Sequence, residues 1–147
     1  MKNKFLKLLT LIFCLLQSSN IIAEELDIKA NQSKLNKDNR IIEANGNVQI
    51  TDIKKNIIFT EKAEYDKNNE LMRSFGETDI ITSEKFRIQG KNISYDNKKG
   101  IIYSTSKTII TDINGNQVYV NMFDYSTSKK MFFSQGNIEV FDNKTNK

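Results

Sequence analysis

Apolar and small positions in this chain return every 30 residues. From Ile88 they fall at Ile88, Gly90, Ile93 and Tyr95. The same places one period earlier hold Ile58, Thr60, Ala63 and Tyr65, and one period later Val118, Val120, Phe123 and Tyr125. A spacing of two keeps one face of a β-strand. The single step of three predicts a bend or bulge at the same place in each strand. A second run alternates through Ile102, Ser104, Ser106, Thr108 and Ile110, matched by Phe132, Ser134, Gly136, Ile138 and Val140. Alternation and β-branched content predict strands rather than helices.

Polar turns separate the runs. Asp96-Asn97-Lys98-Lys99-Gly100 is built of turn residues, as are its counterparts Asp66 to Glu70 and Ser126 to Lys130, and Asn114-Gly115 is a strong hairpin signal. Written from Ile28 in four rows, the chain aligns without a gap. Tyr65, Tyr95 and Tyr125 share a column with Leu35. Gly46, Gly76 and Gly136 share one with Ser106; Ile41, Leu71, Ile101 and Met131 share a third; Ile50, Ile80, Ile110 and Val140 share a fourth. Each row reads as two antiparallel strands, about eight in all, and a fixed period means one unit stacked on copies of itself. The expected fold is all-β: an antiparallel open β-jelly-roll of four 30-residue strand-pair repeats, in one domain spanning 24–147.

The face alternating from Ile42 is apolar at both ends and small in the middle. Small residues there let two sheets meet closely at a corner. A second reading is a groove between apolar walls that holds acyl chains, where each shielded methylene contributes roughly 0.8 kcal/mol. The groove candidates are Ile42, Val48, Ile50, Met72, Ile80, Ile102, Ile110, Phe132, Ile138 and Val140, with Ile138 and Val140 also marking a docking edge. The tyrosine column is expected to stabilise the sheet by cross-strand contact before touching any ligand. The charged turn residues form a solvated rim.

The amino terminus changes the charge argument. Lys2, Lys4 and Lys7 precede a short apolar run from Leu8 to Leu16, and Ile21-Ile22-Ala23 offers a cleavage site before Glu24. Residues 1–23 read as an export signal, the run being too short to span a bilayer. Removing those three lysines from 22 basic residues leaves 19 against 18 acids, a net charge of +1. A nucleic-acid partner therefore loses its support. The single cysteine, Cys14, lies inside the apolar run behind the bulky Phe13, a poor setting for lipid attachment. The chain has no His, Trp or Pro, so the usual zinc sites and the Ser-His and Cys-His nucleophile pairs are unavailable. Asp66 and Asp96 recur in turns as structural residues. No acidic pair stands out, so neither an enzyme nor a cofactor site is expected.

Three segments carry a family resemblance: Ile41-Ile42-Glu43-Ala44-Asn45-Gly46-Asn47-Val48-Gln49-Ile50, Ala63-Glu64-Tyr65-Asp66 and Ser134-Gln135-Gly136-Asn137-Ile138-Glu139-Val140. They resemble the OstA-like repeats of the lipopolysaccharide transport family, found in LptA and in the N-terminal domain of LptD, over roughly Leu26 to Phe141. Row three departs from the pattern, with Ser106 in place of Gly and Gly90 in place of Ala. The resemblance implies a twisted β-jelly-roll in the periplasm of a Gram-negative bacterium. It implies carriage of lipopolysaccharide towards the outer membrane, with lipid A chains inside the roll and end-to-end docking to other β-rolls through edge strands. The last strand, closing at Phe141, carries no capping element. It reads either as a docking edge or as the junction to a longer protein. The alternative function is a structural domain that recruits partners by strand addition and binds no lipid.

Overall fold

The computed structural model describes residues 26–143, so the export signal read at 1–23 lies outside the described residues. The chain forms β1 (Asp27–Lys29), β2 (Gln32–Asn36), β3 (Ile41–Thr51), β4 (Ile57–Asp66), β5 (Leu71–Ile81), β6 (Arg87–Lys91), β7 (Ser94–Asp96), β8 (Ile101–Ser104), β9 (Thr108–Thr111), β10 (Gln117–Val120), β11 (Phe123–Ser126), β12 (Met131–Ser134) and β13 (Ile138–Phe141). All thirteen join one antiparallel sheet. The all-β expectation holds.

Polar turns occupy 37–40, 67–70, 97–100 and 127–130. Their last residues are all left-handed, with φ of 57° at Arg40, 53° at Glu70, 65° at Gly100 and 56° at Lys130. Asp66 shows how such a turn is tied. Its Oδ1 accepts the Asn68 and Asn69 amides, and Oδ2 accepts Asn69 Nδ2 at 2.6 Å. The side chain and then the amide of Asn69 hold this carboxyl below its ordinary value. Its place in the structure is that of a turn residue.

The steps of three bend the strands as their spacing predicts. In β4 the register shifts between Thr60 and Lys62. Between β6 and β7 the ladder breaks at Asn92, where φ is 52°. The glycine column marks a corner, one of the two readings its small residues carry. Gly46, Gly76 and Gly136 adopt φ of 76°, 84° and 96° and turn the corner of their strands. The thirteen strands therefore exceed the expected eight, because only β3, β4 and β5 stay continuous through the corner.

The bends split the sheet into two walls. β5 pairs with β7 through Leu71–Arg73 and with β6 through Glu77–Ile81. One wall continues β7–β8–β11–β12, the other β6–β9–β10–β13. At the start of the chain β2 edges the first wall and β1 the second, both on β3. The walls fold onto one core that includes Val48, Ile50, Ile58, Met72, Ile80, Ile88, Ile93 and Ile102, each at most 1% exposed. Fully burying a side chain of this size contributes roughly 1.5–3 kcal/mol.

Candidate functional site: the open end of the roll

The core thins toward the last strands. Ile50, Ile80 and Ile110 are buried, but Val140 in the same column is 68% exposed. The cause is topological. Each inward residue of the early rows is covered by the opposite wall and by strands on both sides. β12 and β13 have a neighbour on one side only, among the described residues. Ile138 and Val140 pair with Val120 and Val118 on the inward face and look into open space.

Between these two edges lies a cavity of about 350 Å³, walled chiefly by Phe86, Ile110, Val118, Val120, Phe132 and Ile138, with Asp112 and Asn116 at its rim. That volume falls within the roughly 300–1,000 Å³ of ordinary ligand pockets. Its floor is aromatic. Phe132 packs edge-on against Phe86 at 5.3 Å and tilted over Tyr125 at 4.5 Å between ring centroids. Phe132 thus reaches from the first wall to the Thr82–Phe86 loop of the second and separates the filled core from the open end. A larger cleft of about 830 Å³ follows the corner beside Gln89, Ile109 and Tyr119. Charged Glu77, Lys91, Lys107 and Glu139 share its lining, which suits no acyl chain.

The tyrosine column does more than stack. Tyr95 Oη donates to Asp52 Oδ2 at 2.8 Å, and Tyr125 Oη donates to Glu84 Oε2 at 2.7 Å. Each bond ties a strand of the first wall to a loop of the second. Asp52 is buried and also accepts the Asn56 amide and Asn56 Nδ2. Glu84 pairs with Lys130 and accepts from Ser83. The hydrogen bond from Lys130 lowers its carboxyl to about 2, with Tyr125 and Ser83 adding to the effect against burial. Burial, and then the negative Glu84 beside it, raises the Tyr125 hydroxyl. None of the three tyrosines faces the cavity.

The ten groove candidates divide by place. Val48, Ile50, Met72, Ile80 and Ile102 are at most 1% exposed and packed in the core, with half-buried Ile42 against it. Ile110 lies where the core meets the cavity, and Phe132 and Ile138 line the cavity itself. Val140 stands on the edge beside it. The small residues do not leave a trough: Ala44, Ser74 and Ser104 are themselves buried, at 1%, 2% and 4% exposed. The corner reading of that column is the one the backbone adopts.

Sequence reasoning missed Phe86, Phe123 and Val118 at the mouth and the carboxylates Asp52, Glu84 and Asp112. The aromatic mouth had no local signal, since Phe86 and Phe132 stand 46 residues apart in the chain. The carboxylate clips did have one, an Asp-x-x-x-Asn spacing present at both Asp52–Asn56 and Asp112–Asn116.

The fold and its open end set the frame for comparison with known proteins. The crystal structure of LptH, the LptA-homologous periplasmic component of the lipopolysaccharide transport device of Pseudomonas aeruginosa, matches with a TM-score of 0.66. The match covers 82% of this chain and 96% of that one at 14% identity, a likeness of fold. No curated protein sequence matches the chain. The model of the family described as lipopolysaccharide-assembly, LptC-related, matches residues 3–111, well over half of the sequence. This chain is therefore a member of the LptC-related lipopolysaccharide-assembly family.

Proposed function

We propose that the protein is a non-enzymatic, periplasmic component of lipopolysaccharide transport whose open end receives an acyl portion of lipid A and passes it along a stack of β-rolls towards the outer membrane. The observation that carries this reading is the apolar cavity between two unpaired strand edges. Such a site serves both halves of a transfer: an apolar surface for the chain and backbone edges for the next module. Family membership supports the transport role, and LptH, which shares the fold, is described as a periplasmic component of such a device. The likeness to the OstA-like repeats of LptA and LptD supports reading the chain as one roll among several.

In this proposal acyl contact falls to Phe132, Ile138, Val140 and Ile110. Val48, Ile50, Met72, Ile80 and Ile102 support the mouth from below. The core packing also favours a second reading, a docking domain that carries no lipid, because Ile50, Ile80 and Ile88 leave no room for a chain in the early rows.

Sedimentation of the full chain with purified lipopolysaccharide on a density gradient separates the two. The transport reading expects co-migration that Ile138→Asp removes and Glu43→Gln leaves intact. Absence of co-migration favours the docking domain, and co-migration untouched by Ile138→Asp contradicts lipid entry at the open end.

A further inference from the structure

Two loops of the second wall are built alike, and only one is complete. In the first, Asp52 Oδ1 accepts the Asn56 amide at 2.8 Å and Oδ2 accepts Asn56 Nδ2 at 2.7 Å. Asn56 Oδ1 accepts the Ser83 amide of the next loop at 3.0 Å. In the second, Asp112 Oδ1 accepts the Asn116 amide at 2.9 Å and Oδ2 accepts Asn116 Nδ2 at 2.8 Å. Asn116 Oδ1 accepts the Asn143 amide at 3.1 Å. The remaining bond of the first loop, from the Tyr95 hydroxyl to Oδ2 at 2.8 Å, has no counterpart in the second. Among the described residues no hydroxyl reaches Asp112. Burial works to raise this carboxyl, but the hydrogen bonds from Asn116, Asn114 and Gly115 outweigh it and hold it below the ordinary value. At neutral pH Asp112 is a charged acceptor at the rim of the apolar cavity.

The sheet defines where the absent donor would stand. Tyr65 pairs with Ile42, Tyr95 with Met72 and Ile102, and Tyr125 with Ile102 and Phe132. The next place in this series lies on a strand added to the free side of β12, opposite Phe132. A second copy of this chain could bring β2 there, since β2 runs antiparallel to β3 as β11 does to β12. Its residue in the tyrosine column is Leu35, which pairs with Ile42 and has no hydroxyl to give.

Resting on the reading of the open end as a docking edge, we propose that Asp112 and Asn116 form a socket for a hydroxyl donor, a tyrosine, carried by the edge strand of a different β-roll that adds to β12, and that the socket selects this partner over a second copy of the chain. The complementarity is chemical. Asp112 is half-buried in the free chain, and a strand added to β12 would cover it further; a hydroxyl there replaces the hydration lost and a leucine does not. Discrimination of this kind is large because the mismatched partner leaves a polar group unsatisfied.

The full chain tests this by supplying the missing donor to itself. Self-association is measured by sedimentation velocity for the wild type, Leu35→Tyr and Leu35→Phe. The two variants share a ring and differ in the hydroxyl. Leu35→Tyr is expected to associate about tenfold more tightly than Leu35→Phe, as hydrogen bonds to charged groups do. Asp112→Ala added to Leu35→Tyr is expected to erase that difference. Equal association of the two variants overturns the socket, as does a Leu35→Tyr association indifferent to Asp112→Ala. Phe133→Pro, within β12, in the Leu35→Tyr background tests the underlying reading separately. Association that survives it does not run through the β12 edge and contradicts edge docking there. Association abolished by Phe133→Pro but equal for Tyr and Phe contradicts the socket alone.

Discussion

Tyr95 and Asp52, 43 residues apart in sequence, are joined by a 2.8 Å hydrogen bond that crosses the interior of the roll. Both residues are buried, so removing the hydroxyl leaves the carboxylate short of a donor in a place water does not reach. Tyr95→Phe is expected to lower stability by about 1–3 kcal/mol. The check is the midpoint of urea unfolding with an unchanged slope.

Glu84 gives the roll a pH dependence of definite sign. Its carboxyl is lowered from 4.5 to about 2 in the folded chain. A lowered carboxylate stabilises the fold above its unfolded value, and that stabilisation is lost as pH falls through the folded value. The stability gap between wild type and Glu84→Gln should be widest above pH 4.5 and close progressively toward pH 2. Thermal melts across that range measure it. A gap that widens on acidification would reverse the assignment.

The corner depends on backbone conformation at Gly76. Its φ is 84°, and an added Cβ would meet no atom within 4 Å. Gly76→Ala therefore isolates the left-handed penalty, expected at about 1–2 kcal/mol. At Gly90 the cause differs: an added Cβ falls 2.7 Å from Thr108 Oγ1, a clash between strands. A companion Thr108→Ala, which removes Oγ1, is expected to relieve Gly90→Ala and not Gly76→Ala. Melts of the two single and two double variants distinguish backbone strain from packing.

Much of the fold was legible because period and alternation are local. The steps at Thr60–Ala63 and Gly90–Ile93 announced bends, and the Asp66 and Asp96 turns stand where their composition placed them. The glycine column left corner and groove open as readings, because alternation alone cannot distinguish a straight strand from one that turns at positive φ. The groove was legible only in part. An apolar face reads the same whether the opposite wall fills it, as at Ile50 and Ile80, or leaves it open, as at Ile138 and Val140. The tyrosine column was visible, but its carboxylate partners were not, since Tyr95–Asp52 and Tyr125–Glu84 form only when the two walls meet.

The claim that lipid enters at the open end is tested most directly by site-specific photo-crosslinking in cells. A benzophenone side chain would replace Phe132 or Ile138 at the mouth, and Glu43 or Asp124 on the outward face as controls. Covalent lipopolysaccharide adducts are predicted at Phe132 and Ile138 and not at the two controls. Adducts at Glu43 or Asp124 with none at the mouth would contradict the account.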